Sequence, residues 1–177
     1  VMERFGFAKA FESEITILSG VTERFFLRIL PAFQKIGKVE LSSALTEMHI
    51  SEIPEITIDQ RGGLLDIAFD LPHVGENELA DVIAKLQANA DYFVSKEGRF
   101  YQFDKKFDGL KSALKELDDH FVITGNSITV NANRSFQVSK IFEHVAGTSF
   151  SEKFTSFFND LTHPENFQYE KPAHIKA

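Results

Sequence analysis

The sequence predicts an α+β fold in which mixed or antiparallel sheets and hairpins pack against amphipathic helices. Two observations carry that reading. Strand-like segments come in adjacent pairs around turn residues: 56–59 and 64–70 flank Gln60-Arg61-Gly62-Gly63, the aromatic runs at 92–94 and 100–103 flank Lys96-Glu97-Gly98, and 121–124 and 127–130 flank Gly125-Asn126. Between and after these pairs, apolar residues recur every three or four positions, as in Leu79, Val82, Ile83 and Leu86. With 177 residues, 19 of them Phe and none Trp, the chain can bury one sizeable core rich in phenylalanine, or two small subdomains sharing one.

In chain order, residues 2–9 suit a short helix or a lead-in segment anchored by Phe5 and Phe7, and 14–18 suit a strand closed by Ser19-Gly20. Phe25, Phe26, Ile29, Leu30, Phe33 and Ile36 then fall at helical spacing. Pro31 lies inside that pattern, and its missing N–H predicts a kink or break at Leu30-Pro31, with Gly37 as the stop. Residues 38–42 alternate as a strand does; 43–53 fit helix and strand equally, up to Pro54.

The pair at 56–59 and 64–70 alternates apolar and polar residues and reads as half-buried strands. Gly62-Gly63 reads as its turn, since the downstream Gly-Lys-Ser/Thr of a phosphate loop is missing. After Leu71-Pro72 a helix presents Leu79, Val82, Ile83 and Leu86 on one face and Asp81, Lys85 and Gln87 on the other. Beyond the aromatic hairpin, Asp104 is placed to cap a helix buried through Phe107, Leu110, Leu114 and Leu117. Ser135 is placed to cap another, through Phe136, Ile141, Phe142 and Val145. A last helix starts near 149–151 with Phe154, Phe157, Phe158 and Leu161 on one face and ends at Pro164; 167–172 reads as an extended linker. A strand–helix–strand succession at 14–42 and again at 92–124 hints at a duplicated unit. The expected division is 1–53, 54–163 and a linker, 164–177, so that the chain reads as a piece of something longer.

Composition excludes several functions. A net charge of −7 argues against an autonomous DNA- or membrane-binding module, which needs a surplus of Lys and Arg. The absence of cysteine excludes disulfides, thiol nucleophiles and cysteine-ligated zinc, and fits the cytoplasm. No apolar run reaches membrane-spanning length. The six histidines are scattered, none three or four residues from another, so no metal site is predicted. Glu116 with Asp119-His120 is read as a solvated helix end rather than a carboxylate–histidine site, and Asp118-Asp119-His120 lacks the strand and Walker lysine of a motor's acidic box. No catalytic residue and no bound cofactor are assigned. One surface invites nucleic acid: Lys96, Arg99, Lys105, Lys106, Lys111 and Lys115 beside Tyr92, Phe93, Phe100 and Tyr101. Glu97, Asp104, Asp108 and Glu116 dilute its field, which favours a core-facing aromatic ladder with a solvated rim.

Taken together, the segments resemble the SNF2-associated accessory domain that precedes the motor of bacterial Snf2-type helicases. The resemblance rests on Ile15 to Gly20 followed by Phe26-Leu27, Leu30-Pro31 and the run from Ile36 to Ser42; Pro54-Glu55-Ile56 leading to Leu64-Leu65-Asp66-Ile67-Ala68-Phe69-Asp70; Tyr92-Phe93 with Lys96-Glu97-Gly98-Arg99-Phe100; and the run from Pro164 to Pro172. It implies a bacterial parent chain that is an ATP-dependent double-stranded-DNA translocase, with ATP and Mg bound in a motor that would follow Ala177. This piece is then a non-catalytic regulatory domain of a cytoplasmic, nucleoid-associated protein. Its implied partners are the motor within the same chain, DNA through the motor, and a further protein; no membrane is implied. Relatives place a basic and aromatic run where this chain has 128–136, of which Arg134 is the only basic residue left, and it joins the candidate nucleic-acid contacts.

Overall fold

The structure is a computed structural model that describes residues 7–10, 14–17, 22–118 and 120–164. Helices and mixed sheets alternate along it, as an α+β fold requires. The order begins β1 (Phe7–Ala10), β2 (Glu14–Ile17), α1 (Thr22–Arg24), a π turn (Phe25–Ile29), α2 (Leu30–Ile36), α3 (Ser43–Met48) and β3 (His49–Ile50). Then come β4 (Glu55–Arg61), β5 (Leu64–Asp70), α4 (Leu79–Gln87), β6 (Tyr92–Val94), β7 (Phe100–Gln102) and α5 (Asp108–Leu117). The chain continues through β8 (Val122–Thr124), β9 (Ser127–Asn131), α6 (Ser135–Phe142), β10 (Thr148–Phe150) and α7 (Glu152–Thr162). Backbone contacts gather it into two interleaved units, 1–52 with 73–108 and 53–72 with 109–177. The chain thus passes between units after Glu52, Pro72 and Asp108.

In the first unit β1 pairs antiparallel with β2, Phe7 opposite Ile17, so the helix entertained for 2–9 is corrected over its last three residues; 1–6 lie outside the described residues. The break expected at Leu30-Pro31 takes the form of a change of winding. Leu30 N–H donates to the Phe25 carbonyl five residues back, and α2 starts with Pro31 in its first turn, where a missing donor costs little. Phe25, Phe26, Ile29 and Leu30 are buried in one cluster with Phe100. Gly37 ends α2 in extended backbone, its N–H on the Phe33 carbonyl at 3.1 Å.

The strand expected at 38–42 does not form. Its alternation is realised, with Lys38 and Glu40 paired in solvent at 2.9 Å and Val39 and Leu41 packed on the Phe25–Phe26 cluster, but among the described residues no strand lies beside it to take its hydrogen bonds. The suggested duplication loses its second strand with it. The ambiguous stretch resolves into α3, capped by Ser42 Oγ on Leu45 N–H, and β3, which runs parallel to β7 in the sheet order β3-β7-β6. Further along, α4 buries Leu79, Val82, Ile83 and Leu86 as predicted.

The second unit is built on a five-stranded sheet in the order β10-β4-β5-β9-β8, antiparallel except for the parallel pair β10–β4. Its register sets Ile56 opposite Phe69, Ile58 opposite Ile67, Leu65 opposite Val130 and Ile67 opposite Ile128. All of these are buried, so period-two alternation on three adjacent strands makes one apolar layer. Each such side chain contributes about 1.5–3 kcal/mol on leaving water. The stripes Leu110, Ala113, Leu114 and Leu117 of α5, Val138 and Phe142 of α6, and Phe154 of α7 are buried in the same unit.

Two caps differ from expectation. Ser135 is the buried first residue of α6 rather than its cap; Asn131 caps the preceding 3-10 turn through Asn133 N–H. Of residues 149–151, expected at the start of the last helix, Ser149 and Phe150 belong to β10, and Ser151 caps α7 through Phe154 N–H at 3.1 Å. The same Ser151 hydroxyl donates to Asp59 Oδ1 at 2.5 Å, tying the start of α7 to β4. That bond, with Arg61 beside it at 3.2 Å, holds the Asp59 carboxyl below the usual range even though burial works the other way. Gly147, ahead of β10, has φ +81 and lies so close to the Pro54 carbonyl oxygen that a Cβ there would sit 2.6 Å from it.

Candidate functional site

The basic candidates divide by what their side chains do. In the first unit the turn between β6 and β7 is closed by its own polar groups: Ser95 N–H donates to the Arg99 carbonyl and Gly98 N–H to that of Ser95, both at 2.9 Å, and Arg99 N–H donates to Ser95 Oγ at 3.1 Å. Lys96 is exposed on this turn, while its backbone N–H donates to Glu78 Oε1 at 2.6 Å. Arg99 is half-buried, its Nη1 donating at 2.5 Å to the carbonyl of Glu47 in the last turn of α3. A cation on the orphan carbonyls of a helix end is a structural use of arginine. Lys105 and Lys106 are exposed on a 3-10 turn that Asp104 caps by accepting from Lys106 N–H at 3.0 Å.

The aromatic residues interleaved with these cations face the core. Phe93, Phe100 and Tyr101 are buried, and Tyr92 is half-buried with its hydroxyl donating to Glu23 Oε2 at 2.9 Å. That bond, then burial, raises the Tyr92 pKa. Phe100 stacks on Phe26 at 5.1 Å and on Tyr92 at 5.3 Å; His49 stacks on Phe26 at 4.7 Å and hydrogen-bonds Gln102 at 2.9 Å. The rings that a base would need as a stacking platform are therefore occupied by one another. Tyr101, 1 % exposed, carries a buried hydroxyl that finds no hydrogen-bond partner among the described residues, and burial pushes its pKa up to about 12.

In the second unit Lys115 is exposed on α5, but Lys111 is only 7 % exposed and its stem is part of the packing. Arg134 repeats the role of Arg99. Its Nη1 donates to the carbonyls of Leu117 and His120, each at 3.3 Å, its Nε to Gln137 Oε1 at 2.9 Å, and Gln137 in turn donates to the Glu116 carbonyl. Arg134 and Gln137 together satisfy the C-terminus of α5. The suggested carboxylate–histidine grouping is not assembled by these contacts: His120 is exposed, 3.9 Å from Asp118, and Asp119 lies outside the described residues. Among the described residues no three His, Asp or Glu side chains are grouped to hold a metal ion, and no helix is long and apolar enough to cross a membrane.

Sequence reasoning passed over two features. Glu78, 4 % exposed, accepts from Gly75 N–H at 2.9 Å as well as from Lys96 N–H, so one buried carboxylate joins the start of α4 to the β6–β7 turn. Its position three residues after Gly75 was the available signal. The second is the face of the five-stranded sheet opposite its apolar layer. Strand register sets Glu55 against Asp70 and, four residues on, Asp59 against Asp66, carboxylate facing carboxylate. The row through Asp59 and Asp66 continues to Thr129 and Val122. At that end Leu64 is 48 % and Val122 66 % exposed, and with Phe121, Thr129 and Asn131 they line an open groove of about 550 Å³.

Against known proteins, the family model described as bacterial SNF2 helicase associated matches residues 1–172. The chain belongs to that family. No curated protein and no solved structure matches it. Membership in the SNF2 helicase-associated family agrees with the resemblance drawn from the segments between Ile15 and Pro172.

Proposed function

We propose that this chain is a non-catalytic accessory domain of a bacterial SNF2-family ATP-dependent DNA translocase and that it regulates the motor by docking on it. The observation that carries the reading is the family match over residues 1–172. On this reading ATP and magnesium are held by the motor, DNA is reached through the motor, and the domain works at the nucleoid in the cytoplasm. DNA-stimulated ATP hydrolysis by the helicase with and without residues 1–177 tests it. A changed DNA dependence on removal is the expected result; equal hydrolysis at every DNA concentration would sink gating and leave a recruitment role.

A second reading, direct nucleic-acid binding, is favoured by the exposure of Lys96, Lys105 and Lys106 in the first unit and of Lys115 in the second. Arg99, Arg134 and Lys111, engaged with helix ends or packed, are weaker contacts on this reading. Binding that rests on the exposed lysines falls steeply with salt and is lost when Lys96, Lys105 and Lys106 are changed together to Glu.

A further inference from the structure

The open face of the five-stranded sheet combines three properties that bear on what it meets. It leaves Leu64 and Val122 in solvent beside a groove. It sets like charges directly opposite one another twice, Glu55 against Asp70 and Asp59 against Asp66, an arrangement that destabilises a sheet. And Asp59, whose carboxyl the Ser151 and Arg61 contacts hold below the usual range, stands as an anion on that face. Arg61 is the only basic residue at the facing positions of β4, β5, β8 and β9.

We infer that this face is a docking surface for a cationic patch of the SNF2 motor, with an apolar side chain of the motor seated in the Leu64–Val122 groove and lysines or arginines set against Asp66, Asp70 and Glu55. The inference rests on the docking function proposed above and adds the surface. Charge complementarity selects the partner: a helicase must hold a polyanion and so carries a concentration of Lys and Arg, whereas a nucleic acid would be repelled by the acids of this face. Cations placed between Glu55 and Asp70, and between Asp59 and Asp66, convert each repulsive pair into a bridged one, so docking removes a cost that the isolated sheet carries.

The test uses the 177-residue chain and the purified ATPase motor of the SNF2 helicase that accompanies it, with affinity measured by calorimetry at low and high salt. Wild-type binding should weaken with salt, and Asp66→Lys with Asp70→Lys should weaken it by about tenfold or more. The same double variant should melt higher than the wild type, because each new lysine faces a carboxylate, so lost binding cannot be ascribed to unfolding. Val122→Asp, exposed and on an edge strand, should weaken binding at both salt concentrations. Binding unchanged in the double variant overturns the surface while leaving motor docking standing. Failure of the wild type to bind the motor at low salt overturns both.

Discussion

The two units solve the same problem, holding a sheet in place, with different interactions. In the first, the two- and three-residue strands β3, β6 and β7 are fastened by side chains that reach the backbone: Glu78 to Gly75 and Lys96, Ser95 to Arg99, Arg99 to Glu47, and a stack of rings from His49 to Tyr92. In the second, seven-residue strands pair in full register over an aliphatic layer, and polar side chains serve the edges, as Ser151 does for α7 and Arg134 for α5. Short strands gain little from pairing and need local polar ties, whereas long ones are fixed by register, since a one-residue slip would turn the whole apolar face to water.

Three substitutions sharpen that contrast or break it. The largest effect belongs to Gly147→Ala, which puts a Cβ 2.6 Å from the Pro54 carbonyl oxygen at a backbone φ of +81, and should cost on the order of 4 kcal/mol. Urea unfolding reads it; an unchanged midpoint would mean that β10 yields without disturbing β4. Next, Glu78→Ala leaves two backbone donors without their acceptor and should cost roughly 2–3 kcal/mol. Hydrogen exchange should rise at Gly75 and Lys96 and stay low in β4 and β5. If both units open together, the contrast fails and the two behave as one cooperative block.

The smallest effect is a gain. Tyr101→Phe removes a buried hydroxyl that has no partner among the described residues and should stabilise the chain by up to about 1 kcal/mol at pH 8. It should also alter the alkaline limb. Burial holds the Tyr101 phenol neutral to about 12 in the folded chain, against 10.0 ordinarily. Between those values the unfolded chain has released the proton and the folded chain has not, so this group's contribution is intact below about 10 and is lost as pH rises toward 12. Melting at pH 8 and pH 11 should therefore show a shallower decline in the variant; the raised Tyr92 leaves part of the slope in place.

Much of this was legible in the sequence because it depends on neighbours along the chain. Turn residues and alternation located the three hairpins, helical spacing located the buried faces of α4 and α5, and Asp104 was identified as a cap from its position alone; of the face expected on α7 only Phe154 is buried, and Leu161 is 55 % exposed. The order of segments was enough to identify the family. What tertiary structure decided is whatever depends on a partner distant in sequence. Residues 38–42 alternate as a strand does yet have none to pair with among the described residues, while 148–150 become a strand because β4 offers its edge. Arg99 and Arg134, which resemble contacts for a phosphate, find the carbonyls of helix ends first. The acids of β4 and β5 read one by one as solvated positions, and only the register of the hairpin sets them against each other. An element's type follows from local periodicity, but a side chain's role follows from which unsatisfied group the fold brings within its reach.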